Sequence, residues 1–174
     1  VAGICNTVGS TIAREAGRGI YLHAGPEIGV ASTKAFTCQL AALLMIALKF
    51  ARNHRVSRQE GMEYIRQIRE IPDLVQRVLD RKDAVAKIAE RYAQVSSCFF
   101  LGRGCLHPVA LEGALKLKEI SYIHAEGYHA AEMKHGPIAL LDKNVPVVAL
   151  VNDIPGKEKM IGNIQECRAR LAPV

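Results

Sequence analysis

Two carboxylates and an amine stand at helical spacing in the segment from His107 to Pro137. Glu112, Lys116 and Glu119 follow one another at i, i+4 and i+7, so the three side chains share one face of a helix. Such a face can hold a proton-accepting carboxylate beside a cation that keeps it ionised. The same spacing is also common among solvated surface ion pairs, which contribute only a few tenths of a kcal/mol.

A titratable turn follows that helix. The stretch EMKHGP covers residues 132–137, and its Gly-Pro pair ends any regular element. His135 is therefore predicted to lie in a basic turn, where an imidazole with an ordinary pKa of about 6.5 can exchange protons near neutral pH. His107, His124 and His129 lack this context, and we interpret each of them as a structural histidine.

A strand and a helix must position these residues. Val95–Leu101 is an apolar run typical of a buried strand, and a turn with Gly102 and Gly104 follows it. Pro108 then suits the first turn of a helix, because the backbone N–H that proline lacks would have no hydrogen-bond partner within the helix at that position. This succession of strand, glycine turn and helix start predicts a ligand crevice at the carboxyl end of the strand, although such glycine turns also occur without a ligand. The helix side predicted to be apolar and buried comprises Val109, Ala110, Leu111, Ala114, Leu115, Leu117 and Ile120.

The remaining patterns predict parallel strands and amphipathic helices. Strands are predicted at 1–5, 20–23, 138–141 and 145–151, a polar turn at 6–10, and a final helix at 156–170 with Met160, Ile164 and Cys167 on one side. The segment from His54 to Arg91 is predicted to form helices that break at Pro72 and at 81–83. The residues of these helices predicted to face inward are Met62, Ile65, Ile68, Leu74, Val78 and Leu79.

A long helix is predicted after the turn at 24–26. Ser32 or Thr33 can cap its start, because a hydroxyl there accepts a hydrogen bond from a free backbone N–H. Its core-facing stripe is predicted to comprise Ala35, Phe36, Leu40, Leu43, Leu44, Ala47 and Phe50. The longest apolar run in it, Leu40–Leu48, is too short to span a bilayer, so we expect a buried helix and no membrane partner.

Composition narrows the classes of function. A net charge of +6 over 174 residues suits an anionic ligand such as a sugar phosphate, and it also suits nucleic acid. Between Lys49 and Arg91 basic residues alternate with acidic ones, which is typical of ion-paired helix faces, so no nucleic-acid partner is expected. The five scattered cysteines are interpreted as reduced thiols of a cytoplasmic protein, without metal-ligand spacing.

Two long motifs resemble a known family. ALEGALKLKEISYIHAEGYHAAEMKHGP at 110–137 and AGPEIGVASTKAFT at 24–37 resemble the isomerase half of the glutamine–fructose-6-phosphate aminotransferases, the glucosamine-6-phosphate synthase family, which is built of paired sugar-isomerase (SIS) domains. The resemblance implies an α/β fold of three-layer αβα parallel-sheet SIS domains, in two incomplete copies joined by a helical linker. On this interpretation residues 1–56 are the C-terminal part of the first domain, 57–92 the linker, and 93–174 the N-terminal part of the second.

The resemblance also implies a reaction. The family converts fructose 6-phosphate and glutamine to glucosamine 6-phosphate and glutamate, and its isomerase half moves a proton between C1 and C2 of the sugar without a metal or cofactor. Glu119 matches the family's proton-transferring carboxylate, Lys116 matches a lysine that handles protons near the sugar hydroxyls, and Glu112 matches an acidic residue that orients that lysine. His135 matches a ring-opening histidine that enters from the neighbouring subunit, so a homodimer with shared active sites is implied.

Val30 and Ser32 match positions that line the family's sugar-phosphate site, a role compatible with a cap because a helix start suits an anion. The family's glutaminase domain, its phosphate-binding loop and its lysine-bearing C-terminal tail are expected to lie outside this sequence. We therefore expect a fragment that is inactive alone. Two alternatives stay open: a non-catalytic module that binds sugar phosphates, and a related deglycase or isomerase that lacks a glutaminase.

Overall fold

The computed structural model describes residues 1–174, which form six α-helices, two 3-10 helices and five short strands. The chain divides into two units, Val1–Val85 and Ala86–Val174. Every strand pair is parallel, as predicted. Parallel strands need crossover connections, which helices provide in both units.

The first unit begins with a parallel pair of strands and a short helix between them. β1 (Gly3–Cys5) and β2 (Gly19–Tyr21) occupy the predicted strand positions, and α1 (Thr11–Ala16) connects them. The side chain of Ser10 caps α1 by accepting a hydrogen bond from the N–H of Ala13, at 3.4 Å. Only a polar turn was predicted before this helix, and α1 itself was not, because a helix of six residues is too short to show a clear periodicity.

The second helix of this unit, α2 (Lys34–Ala51), is less buried than predicted. Ala35 is the one buried member of the expected core-facing stripe, and the other buried residue of the helix, Ala42, was not predicted. The exposed members include Leu40, Leu43, Leu44 and Phe50. The prediction was wrong for these residues because apolar spacing does not show what covers a helix, and this unit contains only two strands of three residues each.

The length of α2 also bears on the expectation, drawn from its apolar run, that this segment is too short to span a bilayer. The helix has 18 residues, and by length and composition alone it is the one helix of the chain that could cross a membrane. This observation is weak, since the core helix of a globular protein satisfies the same criteria.

Two charged helices follow. α3 (Arg58–Leu79) begins with a reciprocal capping box between Ser57 and Glu60, in which each side chain accepts a hydrogen bond from the other residue's N–H. α3 continues through Pro72, so the predicted break there is wrong; proline removes one hydrogen bond, and the turns on either side keep the helix continuous. The predicted break near residue 81 is confirmed, and α4 (Lys82–Tyr92) begins after it. Most of the residues predicted to face inward are exposed: Met62, Ile65, Leu74, Val78 and Leu79.

The second unit is built on a sheet of three parallel strands. Its elements in chain order are β3 (Ser97–Gly102), α5 (Leu106–Ser121), β4 (His124–His129), the 3-10 helices Ala130–His135 and Pro137–Leu140, β5 (Val147–Ala149) and α6 (Lys157–Ala169). β3 lies in the centre, with β4 on one side and β5 on the other. The hydrophobic core of this unit comprises Phe99, Leu101, Ala130, Met133, Leu141, Val147, Met160, Cys167 and Ala172.

Two predictions for this unit need correction. No strand was predicted at β4, because its sequence HAEGYH is polar, yet it pairs with β3 along its whole length. The strand predicted at 138–141 is instead the 3-10 helix Pro137–Leu140. Gly136, at φ 143°, turns the chain, and the fixed φ of Pro137 then favours a helical first turn.

Candidate functional site

The candidate site is built on α5, which packs closely against the sheet through its small residues. Ala110 and Ala114 are buried, and the backbone at Leu111 approaches Gly127 of β4 so closely that a Cβ there would lie 2.7 Å from the Cα of Leu111. The larger residues predicted to be buried are not: Val109, Leu111, Leu115 and Ile120 are all exposed. A close helix–sheet contact leaves room only for small residues, so the prediction is confirmed for Ala110 and Ala114 and wrong for the larger residues.

The structure brings together the three charged residues predicted on α5. The Nζ of Lys116 donates a hydrogen bond of 2.7 Å to Oε2 of Glu119 and forms an ion pair of 3.4 Å with Oε1 of Glu112. The three side chains are partly buried, with exposed fractions of 22% for Glu112, 20% for Lys116 and 30% for Glu119. We call these three residues the α5 cluster. It is less exposed than the ion pairs of α3, whose side chains are about half exposed.

The α5 cluster holds its lysine in the charged form. The hydrogen bond to Glu119 is the main cause of a pKa of Lys116 above its ordinary value, and the nearby charge of Glu112 acts in the same direction. Lys116 engages one oxygen of Glu119, so the second oxygen, Oε1, is available to accept a proton from a ligand. The cluster can therefore combine a general base with a fixed positive charge.

His135 lies apart from the α5 cluster in its own chain. It is exposed and ends the 3-10 helix Ala130–His135, which we call the His135 segment. No hydrogen bond or ion pair connects His135 with Glu112, Lys116 or Glu119 in this structure. The chain thus joins three of its four predicted catalytic residues by hydrogen bonds and ion pairs, and the histidine is not bonded to them.

Val30 and Ser32 belong to the other unit, at the approach to α2. Val30 is almost fully exposed, and Ser32 donates a hydrogen bond of 3.4 Å to Oε1 of Glu27. The same oxygen of Glu27 accepts the N–H of Ala35 at 3.0 Å, whereas Thr33 makes no capping bond through its side chain. The predicted cap by Ser32 or Thr33 is therefore wrong: Glu27 caps α2, from a loop position too distant in sequence to match a capping pattern.

The other histidines have structural contacts. The Nδ1 of His129 accepts the N–H of Ala131 at 3.3 Å and so caps the His135 segment, and its ring stands edge-on to that of His107 at 5.6 Å between centroids. The Nε2 of His124 lies 3.3 Å from a carboxylate oxygen of Glu126.

The second unit contains another group of hydrogen-bonded polar residues, which was not predicted from the sequence. Arg103, in the turn after β3, donates to Oδ1 of Asn163 at 3.0 Å, and Nδ2 of Asn163 donates to Oε2 of Glu166 at 3.1 Å. The other oxygen of Glu166 contacts Nζ of Lys134 at 2.7 Å. The four residues lie in three separate stretches of sequence, so no local spacing indicates that they meet. We call them the Arg103–Lys134 chain.

The crevice predicted at the carboxyl end of β3 is narrow. A small cleft there is lined by residues that include Arg103, Asn152 and Lys157. A much larger cavity of about 500 Å3 lies between α2 and α3 in the first unit. Its lining is mainly apolar, with Met45 and Ile65 among the residues, and it contains none of the predicted catalytic residues. Size alone therefore does not locate the candidate site.

Residues 1–49 and 91–174 match the sequence model of the SIS domain. The chain belongs to the SIS domain family. Its SIS sequence is 52% identical over 170 residues to the glutamine–fructose-6-phosphate aminotransferase (isomerizing) of Chlorobaculum tepidum, an alignment that covers 98% of this chain and 28% of that protein. A similar protein of Thermus thermophilus is 53% identical over 169 residues, which cover 97% of this chain and 28% of that protein. The chain thus spans between a quarter and a third of the length of these curated relatives.

A solved structure matches the SIS chain closely. The C-terminal domain of glucosamine-fructose-6-phosphate aminotransferase from Francisella tularensis superposes with a TM-score of 0.95 at 45% identity, covering 97% of this chain and 48% of that chain. The stretch that the SIS model leaves unmatched, residues 50–90, holds α3 and most of α4. The α5 cluster and the His135 segment both lie within the second matched stretch.

Proposed function

We propose that this chain is the sugar-phosphate isomerase part of a longer enzyme, a glutamine-dependent glucosamine-6-phosphate synthase. The enzyme converts fructose 6-phosphate and glutamine to glucosamine 6-phosphate and glutamate. The observation that carries the proposal is the α5 cluster, a partly buried carboxylate–amine–carboxylate group in a chain 52% identical to an enzyme named for this reaction.

The proposed chemistry assigns one task to each member of the α5 cluster. Glu119 takes a proton from C1 of the sugar imine and returns it to C2, since a single base that reaches both carbons suffices for this shift. Lys116 supplies positive charge and proton donors close to the sugar hydroxyls, and its raised pKa supports that role because it remains an ammonium at neutral pH. Glu112 orients Lys116 from the preceding turn through the 3.4 Å contact.

We also propose that His135 opens the sugar ring in the active site of a neighbouring subunit of a homodimer. Its exposure and its lack of a bond to the α5 cluster of its own chain support this assignment. Val30 and Ser32 are proposed to line the sugar-phosphate site, and the almost full exposure of Val30 supports this role. The enzyme is proposed to be cytoplasmic, with no cofactor, metal, nucleic acid or membrane in its reaction.

The domain division is proposed as 1–56 for the first SIS domain, 57–92 for a helical linker and 93–174 for the second SIS domain. The gap between the two matched stretches, 50–90, and the helices α3 and α4 within it support a linker at this place.

A second candidate is a related sugar-phosphate isomerase or deglycase without a glutaminase. It is supported by the similarity to the glucosamine-6-phosphate deaminase of Thermotoga maritima, whose structure superposes with a TM-score of 0.72 at 26% identity over 99% of this chain and 50% of that one. A module that binds sugar phosphates without catalysis has no need of the α5 cluster.

The decisive experiment compares the full-length enzyme with its Glu119→Gln variant. The rate of glucosamine 6-phosphate formation from fructose 6-phosphate and glutamine is expected to fall by about 10²–10⁴-fold, because the base is lost. Glu158→Gln is the matched control: it removes the same charge from an exposed site on α6 and should leave the rate unchanged. Equal rates in the unmodified enzyme and Glu119→Gln would refute the proposal. Interconversion of the sugars without any use of glutamine would favour the second candidate.

A further inference from the structure

Asn163 is the one buried polar side chain of the structure, with 7% of its surface exposed. A buried amide is costly unless it is hydrogen-bonded, and both ends of Asn163 are: its oxygen accepts from Arg103 and its nitrogen donates to Glu166. These two bonds fix the orientation of the amide. They also fix the side chain of Glu166 relative to the turn after β3.

Glu166 connects Asn163 with Lys134, the last residue of the Arg103–Lys134 chain. One carboxylate oxygen accepts from Asn163, and the other contacts the ammonium of Lys134 at 2.7 Å. The hydrogen bond from Lys134 is the main cause of a pKa of Glu166 below its ordinary value. Glu166 is therefore ionised at neutral pH and holds Lys134 to α6 by a charge-assisted hydrogen bond.

The segment that Lys134 belongs to needs such support. It is a 3-10 helix, whose hydrogen-bond geometry is poorer than that of an α-helix, and it ends at Gly136 with φ 143°. Met133 is fully buried in the core that also contains Met160 and Cys167 of α6. Met133 and Lys134 thus attach the segment to the same helix by an apolar and an ionic contact, immediately before His135.

We propose that Glu166 and Asn163 are positioning residues: the Arg103–Lys134 chain holds the His135 segment in the conformation that ring opening requires. The proposal rests on the proposed function, since it assigns the chain a role in the step given to His135. The residues act through His135 and do not touch the sugar. Their ordering effect extends from the carboxyl end of β3, across α6, to the residue next to the histidine.

A first experiment measures the order of the segment directly. In the full-length enzyme, hydrogen–deuterium exchange of the amides of residues 130–136 is expected to be about ten times faster in Glu166→Gln, while the amides of α5 stay unchanged. Asp153→Asn is the control, because it also removes one carboxylate from an ion pair of α6, that with Lys157. It should not change exchange in the segment. Unchanged exchange in Glu166→Gln would overturn the proposal.

A second experiment tests whether Glu166 acts through His135. Glu166→Gln is expected to lower kcat for fructose 6-phosphate by about 3- to 10-fold with KM within 2-fold, which is about the difference between a charge-assisted hydrogen bond and the neutral one that glutamine can still make. In a His135→Ala background the same substitution should lower kcat less than 2-fold, because the step it supports is already impaired. Lys134→Met should reproduce the effect and Lys134→Arg should retain activity. An equal loss in both backgrounds would indicate a general effect on folding and would overturn the proposal.

The two experiments separate this inference from the proposed function. If His135→Ala were as active as the unmodified enzyme, the proposed function of His135 would fail, and with it the catalytic half of the inference. The exchange measurement would still decide whether Glu166 holds the segment, because it does not depend on activity.

Discussion

Lys116 connects the two carboxylates of the α5 cluster, because it contacts both Glu112 and Glu119. Without its ammonium, the carboxylates of Glu112 and Glu119 would repel each other across two turns of one helix. Its pKa is raised above the ordinary value of 10.5, so at neutral pH the charged lysine stabilises the folded chain, and this contribution is lost as the pH rises through the raised pKa. Lys116 is therefore charged at neutral pH, and it keeps its hydrogen bond to the carboxylate that is proposed to act as the base.

The cysteines allow a prediction at the same scale, because their burial differs. Cys98 is buried, and burial raises the pKa of its thiol to about 11; Cys105, at the start of α5, is exposed. At pH 8 we expect iodoacetamide to modify Cys105 at least ten times faster than Cys98, since the thiolate is the reactive form. Mass spectrometry of the digested protein measures both rates, and unfolding in urea should abolish the difference. Equal rates in the folded protein would show that β3 is not buried as described.

At the scale of elements, the site depends on how closely α5 approaches β4. Gly127 is the point of contact, since a Cβ there would lie 2.7 Å from the Cα of Leu111. We expect Gly127→Ala to lower the free energy of unfolding by about 1–3 kcal/mol, because α5 must move away from the sheet. That movement would also shift the α5 cluster.

Gly162 on α6 provides the matched control for this substitution. A Cβ added there meets no atom within 4 Å, so Gly162→Ala should raise the free energy of unfolding by about 0.5–1 kcal/mol through helix propensity alone. Urea unfolding of the two variants tests the pair. A Gly127→Ala variant as stable as Gly162→Ala would contradict the close packing of α5 on β4.

The elements β3, α5 and β4 differ in how far the sequence alone predicts them. β3, its glycine turn and α5 were predictable because their signals are local: an apolar run, glycines and a proline at the helix start. β4 was not, since HAEGYH becomes a strand through pairing with β3 and through the fit of Gly127 beneath α5. The charged face of α5 followed from its spacing, whereas the Arg103–Lys134 chain joins residues that only the tertiary fold brings together.

At the scale of the whole molecule, the chain spans 28% of the length of a relative such as that of Chlorobaculum tepidum, and the proposed active site needs more than one chain. No hydrogen bond or ion pair joins the α5 cluster to His135 of the same chain. A site shared between subunits explains why a residue proposed for ring opening has no contact with the residues proposed for proton transfer. In the proposed homodimer, closed two-fold symmetry would give two identical sites.

Mixing inactive variants of the full-length enzyme tests this arrangement. A shared site predicts that Glu119→Gln and His135→Ala, each nearly inactive alone, regain activity after their subunits are exchanged. Random exchange makes half of the dimers mixed, and each mixed dimer has one intact site of two, so recovery should approach about a quarter of the unmodified activity. Glu119→Gln mixed with Lys116→Met should recover nothing, because both changes affect the same cluster of α5. Absence of recovery in the first mixture, after mixed dimers are detected by mass spectrometry, would place His135 in the site of its own chain.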